Sequence, residues 1–145
     1  MVHSPPEATV YSLDLPEDGS AKPMLNTTIV DDQHLPKAGS ERRYCFHGSP
    51  VASKIQLLRG DSALFDFTSF HGKIDLFFID GAHSHEYVKS DTLNALSCCH
   101  PGSVLAWHDY GRVGVNGVFT WLHEFSRGRD IYSVPGGSLA FMVVE

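Results

Sequence analysis

Short runs rich in β-branched and aromatic residues alternate along the chain with stretches of helical spacing. Thr9 to Leu15, "TVYSLDL", reads as a short strand stopped at Pro16. Lys54 to Arg59, "KIQLLR", is a second, ended by Gly60-Asp61-Ser62. Ile74 to Ile79, "IDLFFI", is a third, apolar enough to be expected buried on both faces. Ser84 to Cys99 then takes helical spacing. Tyr87, Val88, Asp91, Leu93 and Leu96 form one stripe, Ser84 is the N-cap, and Pro101-Gly102 is the terminator. Val104 to Trp107, "VLAW", is a fourth strand. Val115 to Phe125 is a second helix, with Val118, Leu122 and Phe125 on one side and Gly128 closing it. Ile131 to Val134 and Ser138 to Val144 are separated only by Pro135-Gly136-Gly137, which makes them a hairpin.

Strands alternating with helices predict an α/β fold: a mostly parallel sheet with helices on both faces and a C-terminal antiparallel hairpin strand. Residues 16–50 break the pattern. They carry Pro16, Pro23, Pro36, Pro50, Gly19, Gly39 and Gly48 and lose periodicity, so a long irregular loop region is expected there, with short pieces of helix or strand at most. A loop of that length in a compact domain is usually functional or partly mobile. With 145 residues the chain suits a single domain.

Charge changes the picture by exclusion. Seventeen acidic against eleven basic residues give a net charge of −6, which argues against a nucleic-acid or anionic-membrane binder. The adjacent Arg42 and Arg43 are expected to be solvated surface. Cys45, Cys98 and Cys99 are odd in number and two are adjacent, a poor disulfide framework, so reduced thiols in a cytoplasmic protein are expected. No leader-like segment or membrane-length apolar run is evident.

The chemistry gathers at strand ends. Ligands of open parallel sheets bind beyond the carboxyl ends of the strands. Here strands run into Asp14, Asp61, Asp80, and His108 with Asp109, and Gly81 is expected to allow a sharp turn after Asp80. An Asp after a strand is often only the N-cap of the next helix. Asp80, His83, His108 and Asp109 together, at the same end of two neighbouring strands, instead suggest a divalent-metal site or acid–base chemistry. Trp107 and Trp121 are expected in the core, Tyr87 in helix packing, and Tyr110 and Arg112 near a substrate.

"VYSLDLP", "IQLLRGDSALFDF", "IDLFFIDGAHSHEYVKSDTLNAL", "PGSVLAWHDYG" and "VPGGSLAF", in this order, resemble the class I S-adenosylmethionine-dependent methyltransferases. The likeness is closer to a bacterial subgroup with an I-D-G-x-H-x-Y-x-x-V-x-x-D segment and a later H-D-Y. The resemblance implies a Rossmann-like sheet and a set of roles. Asp14 would accept hydrogen bonds from the cofactor ribose, and Asp61 and Ser62 would lie by the adenine. Asp80, Gly81 and His83 would line the cleft. Likeness to metal-dependent O-methyltransferases makes Asp80 and Asp109 candidate Mg2+ ligands, with His83 or His108 as ligand or general base. The substrate implied is a small molecule or sugar bearing a hydroxyl, and a homo-oligomer is a candidate assembly.

The resemblance also has a departure. In the family a first strand and a Gly-rich turn precede "VYSLDLP"; here only nine residues do, and "MVHSPPEAT" holds no glycine. The expectation is a member truncated at its N-terminus, before the second family strand. Two other readings stay open: a catalytically inactive remnant serving as a binding or oligomeric module, and a metal-dependent hydrolase.

Overall fold

The computed structural model describes residues 5, 7–20, 22–36 and 44–145. The Arg42-Arg43 pair lies outside them. Among the described residues six strands and three α-helices follow one another as β1 (Val10–Asp14), α1 (Ile29–His34), β2 (Ile55–Arg59), β3 (Ile74–Ile79), α2 (His85–Cys98), β4 (Cys99–Trp107), α3 (Asn116–Phe125), β5 (Tyr132–Ser133) and β6 (Ala140–Val143).

Among these residues the strands form two sheets. β1 and β2 pair in parallel, Val10 opposite Ile55 through Asp14 opposite Arg59. The larger sheet runs β3-β4-β6-β5, with β3 and β4 parallel and β6 antiparallel to both its neighbours. The α/β class, the parallel strands and the terminal antiparallel hairpin are as the sequence implies.

Register explains the core. Phe77, Leu105 and Met142 share one row, and Ile79, Trp107 and Ala140 the next, all on one face of the larger sheet. α2 and α3 cover that face: Val88, Ala95, Val118, Leu122 and Phe125 join Leu105 and Trp107 in a single apolar cluster. A buried hydroxyl at its centre, Thr92 Oγ1, accepts both indole N–H groups, from Trp107 at 2.9 Å and Trp121 at 3.0 Å, and donates to the Val88 carbonyl at 2.6 Å. Both tryptophans are therefore core residues with satisfied polar edges.

Several expectations need correction. Leu93 is half exposed, and Thr92 and Ala95 take the buried positions beside Tyr87, Val88 and Asp91. Pro101-Gly102 does not end α2. The helix stops at Cys98, and the two residues lie within β4, where the β3–β4 register shifts between Ile74 and Leu76. β3 is not buried on both faces: Leu76 and Phe78 are 62% and 50% exposed. No helix among the described residues is long and apolar enough to cross a membrane.

Candidate functional site

β3 and β4 are parallel neighbours, so their carboxyl ends surface side by side, Ile79 opposite Trp107. The residues that follow are Asp80 on one strand and His108-Asp109 on the other. Their ligand atoms all lie within 4.8 Å of one another. His108 Nδ1 is 3.1 Å from Asp80 Oδ1 and 3.2 Å from Asp109 Oδ2. Neither approach has hydrogen-bond alignment: Nδ1 is a buried nitrogen with no hydrogen-bond partner among the described residues. Two carboxylates converging on an imidazole nitrogen that makes no hydrogen bond form a donor set that suits a divalent cation.

Asp109 carries most of the local constraint. It is 3% exposed and sits in the left-handed region at φ 58°, the one non-glycine residue to do so among those described. That conformation is uncommon for a residue with a Cβ and tolerated best by Asp and Asn. Surrounding bonds hold it: Arg112 donates to Oδ1 at 3.0 Å and His83 Nε2 lies 2.7 Å from Oδ2. Burial works to raise the Asp109 carboxyl, but His83, Arg112 and His108 outweigh it and hold it below the usual range. Gly81, by contrast, has no left-handed backbone. A Cβ there would stand 3.4 Å from Asp91 Oδ2, so the sharp-turn argument for this glycine does not apply.

His83 reaches the cluster from the turn between β3 and α2. Its Nδ1 lies 2.6 Å from Asp31 Oδ1, and its backbone N–H donates to the same oxygen at 3.0 Å. A ring with a carboxylate at each nitrogen satisfies both as an imidazolium, with each N–H donating. Burial works to lower the His83 pKa, but Asp31 and Asp109 outweigh it and raise it. Asp31, 7% exposed, is held low in the opposite contest, its hydrogen bonds from Thr28 and His83 outweighing burial.

Asp31 escaped the sequence reading because it lies in the irregular 16–50 region. A signal existed: Thr28-Ile29-Val30-Asp31 is a capping box in which Asp31 Oδ2 accepts the Thr28 N–H at 2.7 Å and its hydroxyl at 2.8 Å.

The remaining strand ends lie apart from this cluster. Asp14 closes β1 half-buried, its Oδ1 accepting the Leu15 N–H at 2.8 Å. Asp61 has both oxygens engaged within the fold. Oδ1 accepts the Ala63 N–H at 2.9 Å; Oδ2 accepts the Met24 N–H at 2.7 Å and the Tyr87 hydroxyl at 2.8 Å. Tyr87 is thus more than packing; burial and the Asp61 contact push its pKa up to about 12. The Ser62 carbonyl accepts the Asn94 amide at 3.3 Å, which turns this segment toward α2. Tyr110 leads from the cluster into an aromatic stack, 5.7 Å from Phe119, which lies 6.1 Å from His123.

Parallel strands with polar groups massed beyond their carboxyl ends, and helices packed on the sheet, define the class as a Rossmann-like α/β fold. Residues 4–110 match the family model described as "Methyltransferase domain", and the chain belongs to that family. Among solved structures, the O-methyltransferase NovP superposes with a TM-score of 0.65 at 14% identity, over 95% of this chain and 60% of its own. CalS11, a TDP-rhamnose 3'-O-methyltransferase of calicheamicin biosynthesis, gives 0.51 at 16% identity, over 64% of this chain and 42% of its own. The chain thus spans about 60% of the length of NovP and less of CalS11. No curated protein matches. The narrower subgroup pattern fits at Ile79, Asp80, Gly81, His83, Val88 and Asp91 but asks for tyrosine at 85, where this chain has His85.

Proposed function

We propose that this chain is the cofactor- and metal-binding part of an S-adenosylmethionine-dependent methyltransferase acting on a hydroxyl of a small molecule or sugar. The observation that carries this reading is the convergence of Asp80, His108 and Asp109 at adjacent strand ends, with His108 Nδ1 buried between two carboxylates and hydrogen-bonded to neither. Those three residues would hold a divalent cation such as Mg2+. The cation, when bound, supplies a positive charge that lowers the pKa of an acceptor hydroxyl and fixes its position. His83 binds Asp109 on the side opposite Arg112 and keeps that carboxylate turned toward the cluster. Asp14 is assigned to the cofactor ribose and Ser62 to the adenine side. Asp61, which also accepts bonds from the Met24 N–H and the Tyr87 hydroxyl, is assigned to the adenine side beside Ser62. Asp80 and Gly81 line the cleft. Names of similar O-methyltransferases agree with a hydroxyl acceptor.

The test is methyl transfer from labelled S-adenosylmethionine to a panel of sugar and phenolic hydroxyl acceptors, with Mg2+ and with chelator. Transfer that disappears with chelator and in Asp109→Asn supports the reading. Asparagine keeps the left-handed backbone and the shape while removing the charge, so a folded, inactive variant is the expected result. Transfer indifferent to both changes removes the metal from the account. Metal-dependent cleavage by water of ester or phosphoester substrates, without cofactor, would favour a hydrolase.

A further inference from the structure

We infer that Asp31, on α1, is a positioning residue for the cation site, acting through His83 on Asp109. The inference rests on the metal reading above and extends it to a part of the chain outside the strand ends. Its basis is a continuous chain of contacts. Asp31 Oδ1 takes two bonds from one residue, the His83 backbone N–H at 3.0 Å and ring Nδ1 at 2.6 Å. The imidazole is thereby fixed both where its backbone enters and at its ring. Its other nitrogen, Nε2, is left facing Asp109 Oδ2 at 2.7 Å. That same oxygen is 3.2 Å from His108 Nδ1, inside the candidate ligand set.

Asp31 is itself held. Its second oxygen accepts two bonds from Thr28, so both ends of the carboxylate are specified. Both acids and the imidazole are shielded, the side chains of Asp31, His83 and Asp109 being 5%, 15% and 4% exposed. A purely structural helix cap would need only the Thr28 side of Asp31. The doubled contact with His83 is what a cap does not require. Partners of this kind orient metal ligands, and their loss typically costs about 10–100-fold in metal affinity.

Two variants separate the positioning role from the capping role. Glutamate is the usual residue at the third helical position of a capping box, so Asp31→Glu keeps the cap but moves the carboxylate by one methylene relative to His83. Asparagine cannot accept at both ends: in Asp31→Asn the amide nitrogen must face either the Thr28 N–H or the His83 N–H groups. The experiment is Mn2+ titration of the wild-type protein and both variants, with melting temperature and the proton NMR signal of the His83 ring N–H recorded for each. The expected result is a wild-type-like melting temperature for Asp31→Glu. Mn2+ affinity should fall about 10-fold or more in both variants, and the His83 ring signal should shift or vanish. Wild-type Mn2+ binding retained within about threefold in both variants would overturn the inference. Absence of Mn2+ binding in the wild type would instead count against the metal reading. Asp31 would then be judged on the His83 signal alone, and its persistence unchanged in Asp31→Glu and Asp31→Asn would overturn the positioning role.

Discussion

Asp91 shows how much a single residue can cost in this fold. It sits on α2, 7% exposed, and its Oδ1 has no hydrogen-bond partner among the described residues. Burial pushes its carboxyl up to about 6, with the Ser62 side chain pulling the other way and the Asp61 charge adding to the rise. A pKa raised on folding means the native state binds the proton more tightly. The stability this gives is present in full below the unfolded carboxyl pKa and is lost as pH rises through about 6. The loss is about 2–3 kcal/mol for a shift of this size. Asp91→Asn is therefore expected to raise the melting temperature at pH 8 and to match wild type near pH 4. A pH-independent difference between the two proteins would contradict this. In the sequence Asp91 stood in the apolar stripe of a helix. The stripe showed that it faces inward, but the missing partner depends on tertiary neighbours that spacing does not reveal.

At the scale of elements, the α2–α3 pair holds the site together from below. Thr92 supplies one hydroxyl to two indoles, so Thr92→Val keeps the shape but leaves both N–H groups buried without an acceptor. Each unsatisfied donor costs about 1–3 kcal/mol, and a fall of about 2–6 kcal/mol in denaturant unfolding is expected. A loss under about 1 kcal/mol would show that the indoles find other partners. Gly117 governs the other contact. A Cβ there would fall 2.2 Å from the His83 carbonyl oxygen and 2.5 Å from the His85 backbone nitrogen, so α3 approaches the His83 turn closer than any side chain allows. Gly117→Ala should cost about 1–3 kcal/mol by overpacking and displace the His83 ring signal. An unperturbed signal would mean that α3 yields instead. The strands, the hairpin and both long helices were legible in the sequence, because periodicity and Gly/Pro punctuation report local structure directly. α1 was not. A six-residue helix carries too few turns for periodicity, and only its capping box marks it.

Across the whole molecule, what the sequence could place was the common edge: Asp80, His108 and Asp109 follow adjacent parallel strands, and topology alone brings them together. Asp61 follows a strand end as expected, and the bonds its carboxylate makes to Tyr87 and Met24 are long-range contacts that spacing does not reveal. The larger sheet is also asymmetric. One face is covered by α2 and α3, while the other presents Leu76, Phe78, Tyr132 and Val143, each at least 50% exposed. Exposed apolar rows of this kind bind apolar dyes, and Leu76→Thr with Phe78→Thr is expected to reduce dye binding with little change in melting temperature. Unchanged dye binding would place the apolar surface elsewhere.

The most direct test of the proposed function is a calorimetric titration of the folded protein with S-adenosylhomocysteine, with and without Mg2+. The expected result is saturable one-to-one binding that Asp14→Ala abolishes and that does not require the metal. No binding at millimolar ligand, from protein shown to be folded, would contradict it and leave a methyltransferase-family fold without cofactor binding in this chain.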